Sequence, residues 1–143
     1  MLARWLAVFT VTLVIMLNAA VWYSTHLEDT ALRNAENAET AKSLHEAEKA
    51  VKYNPHSIDA RFILAGAQQR LGRTVEARRT LEIAVEMQPE NYRTWSQLAL
   101  FERDKLDDQE SARIHFARAY SLNKKDHLLI EVLSDNEQTQ DRQ

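Results

Sequence analysis

The chain has no cysteine, so disulfides and thiolate metal sites are excluded and either redox compartment is compatible. Glycine and proline are almost as scarce, with two of each. Two glycines, Gly66 and Gly72, cannot build a glycine-rich phosphate loop. Both prolines follow helical runs, which suits an all-α chain. Basic charge is also in short supply. Before residue 24 the only charged side chain is Arg4, so the remainder carries 17 basic and 21 acidic residues, a net −4 within an overall −3. A mildly acidic domain lacks the clustered basic face that a phosphate backbone requires, so no nucleic-acid partner is expected. The five histidines show no H-E-x-x-H or similar paired spacing, and no metal site is expected. Nothing marks a nucleophile elbow. Glu102, Asp104, Asp107 and Asp108 read as a solvated turn and not as an acid/base pair. No catalytic residue, no cofactor and no enzyme activity are therefore expected.

One long apolar run is present. Residues 5–23, WLAVFTVTLVIMLNAAVWY, carry no charge, and only Thr10, Thr12 and Asn18 are polar. Nineteen residues at about 1.5 Å each span roughly 28 Å, close to the bilayer core of about 30 Å. Trp5 at one end and Trp22-Tyr23 at the other suit the two interfaces. The run exceeds a signal-peptide core, and no A-x-A site follows it, so an uncleaved single-pass signal anchor over residues 1–23 is the expectation. Cleavage near Ala20 would instead release a secreted soluble binder. Arg4 and the amino terminus precede the run and Glu28-Asp29 follow it. The positive-inside rule thus places the N-terminus in the cytoplasm and the remainder outside. Asn18 allows association with another membrane helix.

The remainder reads as helices. Leu27, Ala31, Ala35, Ala38, Ala41, Leu44, Ala47 and Val51 form a stripe in three- and four-residue steps. Either the apolar helix continues through residues 24–39, or a short helix precedes the one at 40–53. Asn54-Pro55 ends that helix. Further helices are expected at 58–71, 74–87, 92–105 and 109–121. Ser57 or His56 precedes the first of these, and Gly72 suits a left-handed C-terminal position. The turn at Asp107-Asp108 is expected to be one residue longer than the one at Gly72. Asp126 is placed to cap a last helix over 127–133, and the tail from Ser134 is polar and expected to be disordered.

These helices repeat. Ser43, Ala47, Ala50 and Pro55 recur as Ala77, Leu81, Ala84 and Pro89, and again as Ala112, Phe116, Ala119 and Lys124. The second step is one residue longer than the first. A period of about 34 residues, with small and large apolar residues at these offsets, resembles the tetratricopeptide repeat (TPR) family over residues 44–126. In that family the first helix of a unit carries a large residue, a Leu, a small residue and an aromatic. Here one unit has Arg61, Leu64, Ala65 and Gln68, and the other Trp95, Leu98, Ala99 and Glu102. The resemblance implies an all-α fold: a transmembrane helix, then a short helical-hairpin solenoid of about two and a half repeats, then a capping helix. The segments would be 1–23 (anchor), 24–55 (juxtamembrane helix and partial repeat), 56–90 and 91–125 (repeat units), and 126–143 (cap and tail). It also implies a protein or peptide partner, bound on the open face of each first helix. By register that face offers Phe62, Gln69 and Arg70, with Asp59 and Gly66, in one unit. The other offers Arg93, Gln97, Leu100 and Arg103, with Ser96. Where the carboxylate-clamp version of the family has Lys and Asn, this chain has Phe62, Gly66, Ser96 and Leu100. Recognition of chaperone C-termini is therefore not expected. The layout further resembles the repeat tail of bacterial O-antigen ligase or polymerase-like proteins, through AEKAVKYNPHS, EIAVEMQPENYRTW and FARAYSLNKKDH behind a spanning segment. The expected function is a membrane-anchored adaptor in a bacterial envelope process, with an accessory subunit or separated tail of a glycan-assembly enzyme as the alternative.

Overall fold

A computed structural model describes residues 2–36, 39–126 and 129. Its described residues form six helices and no strand: α1 (Leu2–Glu36), α2 (Thr40–Tyr53), α3 (Ile58–Arg70), α4 (Thr74–Met87), α5 (Tyr92–Lys105) and α6 (Gln109–Leu122). The chain divides between Leu71 and Gly72 into two compact units. The helix expected over 127–133 and the tail lie outside the described residues, apart from Leu129, which is buried beside Ala112 and Phe116.

In the first unit, α1 runs unbroken from the apolar stretch into the segment behind it. Within it, Phe9–Arg33 is long and apolar enough to cross a membrane. Phe9, Val14, Ile15, Met16 and Leu17 all stand exposed. From Ser24 onward the helix changes character. Ser24, Leu27 and Ala31 are buried at three- and four-residue spacing, the stripe that a helix packed on one side requires. Ala31 meets Leu44 and Ala47 of α2 and Leu64 and Ala67 of α3, while Leu27 meets Ala50 and Ala60. Leu27 and Ala31 fall one repeat period before Arg61 and Ala65, so this half of α1 is the first helix of a repeat. The segment that reads as a partial repeat is a complete helical pair.

Polar groups fix the same contacts. Ser24 Oγ donates to the Ala50 carbonyl at 3.0 Å. Ser57 Oγ accepts from the Ala60 amide, capping α3, and donates to Glu28 Oε1 at 2.8 Å. One side-chain cap thereby joins α1 to the start of α3. Ser43 is buried at the position held by Ala77 and Ala112 in the other units, and its hydroxyl finds no hydrogen-bond partner among the described residues.

The second unit packs α4, α5 and α6. Ala99 meets Ala112, Phe116 and Ala119, with Trp95, Leu100 and Tyr120 around them. The loop entering α5 is clasped by its own helix. Asn91 Oδ1 accepts from the Arg93 amide, buried Thr94 donates to the Gln88 and Asn91 carbonyls, and Trp95 Nε1 donates to the Pro89 carbonyl at 2.7 Å. In the first unit Arg61 donates to the Pro55 carbonyl at 2.8 Å. Arginine thus replaces the indole N–H at the same register of the preceding repeat.

The loops repeat as closely as the helices. Asn54, Gln88 and Asn123 each donate an amide to the alanine four residues back, and Ser57, Asn91 and Asp126 each donate to those same three residues. Gly72 and Asp107 hold the left-handed positions at φ 73° and 54°. Asp tolerates this region better than most residues. The two turns are of equal length, contrary to expectation, with three residues each between α3 and α4 and between α5 and α6. The extra residue lies inside α5, which has 14 residues against 13 in α3.

A further correction concerns Glu102. It is completely buried and not part of a solvated turn. Its carboxylate accepts from Arg78 Nη2 of α4 at 3.1 Å and lies 2.6 Å from His115 Nδ1 of α6. An ionised carboxylate there takes the His115 proton as a hydrogen bond from Nδ1. Trp95 packs against the His115 ring at 5.5 Å. Glu102 occupies the register where the family has an aromatic, so an ionic bond replaces a ring in joining three helices.

Three stability outcomes follow, each read by thermal or urea unfolding. Ser43→Ala removes a stranded hydroxyl and raises stability by about 1 kcal/mol. Gly66→Ala also stabilises, by roughly 0.5–1 kcal/mol, because the added Cβ meets only Arg70 Nη1 at an ordinary 3.6 Å, whereas Gly72→Ala destabilises through its positive φ. Glu102→Ala costs about 2–3 kcal/mol, and its effect overlaps with that of His115→Ala in a double-mutant cycle. Additivity of those two would show that the pair does not act as a unit.

Candidate partner-binding site

The face expected to meet a partner is accessible in each unit. On α3, Arg70 is exposed and Phe62 and Gln69 are half-buried, while Ile58, Leu64, Ala65 and Ala67 of the same helix are buried. Asp59 and Gly66 share the accessible side. Arg70 folds its guanidinium back over Gly66, where the missing side chain leaves room. On α5, Arg93 and Gln97 are exposed, and Ser96, Leu100 and Arg103 are half-buried. Thr94, Leu98, Ala99 and Phe101 point inward. The structure brings each set together along its own helix: Phe62, Gln69 and Arg70 in the first unit, Arg93, Gln97, Leu100 and Arg103 in the second.

The members differ in what already holds them. Leu100 packs against the Ala99–Phe116 cluster, so only part of it faces outward. Arg103 Nε donates to Asp104 Oδ1 at 2.7 Å, and its guanidinium lies over the Phe116 ring at 5.6 Å. That hydrogen bond, helped by the positive charge, holds the Asp104 carboxyl below the usual carboxylate range. Arg103 is thus pre-positioned by stacking and partly neutralised. Each surface offers arginine charge beside partly exposed apolar side chains.

Sequence reasoning passed over two clusters. The Glu102–His115–Arg78 bond was hidden because charged residues near a turn normally face water. Its signal was register, since Glu102 falls where the repeat places a core aromatic. The second is the pairing of Tyr53 with Tyr23. Tyr23 and Tyr53, on different helices and far apart in sequence, meet edge to face at 4.9 Å.

Comparison with known proteins agrees with this architecture. Residues 32–99 match the tetratricopeptide repeat family model. Tetratricopeptide repeat protein 33 of Mus musculus is 41% identical over 68 residues, which are 48% of this chain and 26% of the mouse protein. The match therefore spans about a quarter of that relative. Among solved structures, the first TPR of Spaghetti (RPAP3) bound to the HSP90 peptide SRMEEVD superposes with a TM-score of 0.70 at 15% identity, covering 82% of this chain and 93% of that one. The Sgt2 TPR domain from Aspergillus fumigatus gives 0.70 at 18% identity, covering 82% and 79%. The N-terminal domain of stress-induced protein-1 from C. elegans gives 0.69 at 20%, covering 83% and 98%. At such identities the likeness is one of fold. Residues 32–99, about half of the chain, thus match the tetratricopeptide repeat family, and the chain shares the fold of these solved repeat domains.

Proposed function

We propose that the protein is a membrane-anchored adaptor, holding a protein or peptide partner on its repeats and catalysing no reaction of its own. The observation that carries the anchor is the change along α1. From Phe9 to Tyr23 its large apolar side chains are exposed, and from Ser24 its buried stripe belongs to the repeat. In water each such exposed side chain forgoes on the order of 1–2 kcal/mol, and burial in lipid removes that cost. Residues 5–23 then span the bilayer, with the N-terminus cytoplasmic and the repeats outside by the charge argument. An envelope process is the setting that this orientation supports.

The partner surface rests on the accessible α3 and α5 residues. Arg70 with Phe62 on α3, and Arg93 and Arg103 with Leu100 on α5, each favour a segment with both acidic and apolar side chains. The solved relative that carries an HSP90 peptide supports peptide binding as a use of this fold. The residues at the corresponding positions here favour a different ligand.

Two measurements test this reading. A Val75→Cys variant supplies a single thiol at a highly accessible site. It is expected to react with an impermeant maleimide in intact cells, with the intact mass showing residues 1–20 retained. Protection until lysis reverses the orientation, and loss of the leader mass replaces the anchor with a secreted binder. For the surface, Leu100→Asp with Arg103→Glu is expected to weaken capture of the native partner about tenfold or more while the fold is retained. Unchanged capture would move the binding site elsewhere.

A further inference from the structure

α2 returns alongside α1. Ala31 meets Ala47 and Leu44, Ser24 bonds to Ala50, and Tyr23 meets Tyr53. The end of α2 therefore lies level with the end of the apolar run. Three rings gather there in the open: Trp22 is 70% exposed, Tyr53 48% and Tyr23 38%. Trp22 stacks on His26 at 5.9 Å. Lys52 at the end of α2, and Pro55 and His56 in the turn after it, are exposed as well. Glu28, the first acid along α1, is turned inward, accepting from the Ser24 and Ser57 hydroxyls inside the repeat. Amphipathic rings and a lysine gathered at one level suit the headgroup layer of a bilayer.

We propose that the end of α2 and the turn that follows it, residues 52–56, sit in the lipid headgroup layer beside the point where α1 leaves the bilayer. The first repeat is then seated on the membrane and not hung from it by a tether. This seat rests on the anchor reading. It commits to a lipid surface as the occupant, because the edge is continuous with the helix that would enter the lipid. No linker separates the two, since Ser24, one residue past Tyr23, is already packed on α2. Lys52 places its charge where anionic headgroups lie, and Tyr53 places its hydroxyl end at the water boundary.

The test uses the full-length, naturally cysteine-free chain in vesicles of phosphatidylcholine and phosphatidylglycerol, some of the lipid carrying a nitroxide on the headgroup. Single variants Trp22→Cys, His56→Cys and Lys42→Cys each carry one fluorophore. Lys42 lies ten residues from Lys52 on α2, about 15 Å along the helix axis. Quenching at position 56 is expected to come within about twofold of that at 22 and to exceed that at 42 about threefold. Strong quenching at 22 with none at 56 overturns the seat and leaves the anchor intact. Equal quenching at all three overturns it as well, because α2 would then lie flat on the lipid. No quenching anywhere, with no flotation alongside the vesicles, overturns the anchor and the seat together.

Discussion

The packing of each unit depends on helices approaching closely, and that depends on side chains no larger than a methyl group at a few positions. Ala31, Ala47, Ala50 and Ala67 in the first unit, and Ala84, Ala99 and Ala119 in the second, are wholly buried. A larger residue at any of them would separate the helices and open voids beside its neighbours. The bulk that fills the remaining space comes from single large residues opposite, Leu64 and Leu44 in one unit and Phe116 in the other. Small against large, recurring at the same register, forms one core in each unit.

Where the repeat departs from its family's apolar choices, it keeps the geometric role and changes the chemistry. Arg61 replaces a tryptophan yet donates to the proline carbonyl of its own loop, as Trp95 does in the next repeat. Glu102 replaces an aromatic, and its burial is offset by a cation on one side and an imidazole on the other. Such a cluster adds little net stability compared with an apolar ring, but its contacts are directional and link α4, α5 and α6. Asp107 takes a backbone shape that Gly72 adopts more easily.

The helices α2 to α6 were legible in the sequence almost to the residue. Proline, glycine and asparagine punctuate them, and the apolar period between these marks is unambiguous. The first repeat was harder to see. Its opening helix is fused to an apolar run, so it has no start signal of its own, and Thr30 stands where the other units have Leu64 and Leu98. The extra residue between repeats was correctly counted but misplaced, because a helix absorbs one residue without disturbing the caps at either end. Register also placed Phe62, Gln69 and Arg70 on α3 and Arg93 and Gln97 on α5 where they are accessible. That Leu100 is partly core and that Arg103 lies over Phe116 depend on contacts between helices, which periodicity does not encode. Glu102 was misread for the same reason, since its partners Arg78 and His115 come from other helices.

The continuity of α1 sets an angular relationship as well as a distance. Each residue advances the helix by about 1.5 Å and turns it by about 100°. The apolar stretch and the Ser24–Leu27–Ala31 stripe lie on one rod, so their faces keep a fixed phase. The side of the apolar stretch that faces a given way therefore sets the side on which the first repeat is built, as the key on a shaft sets the wheel.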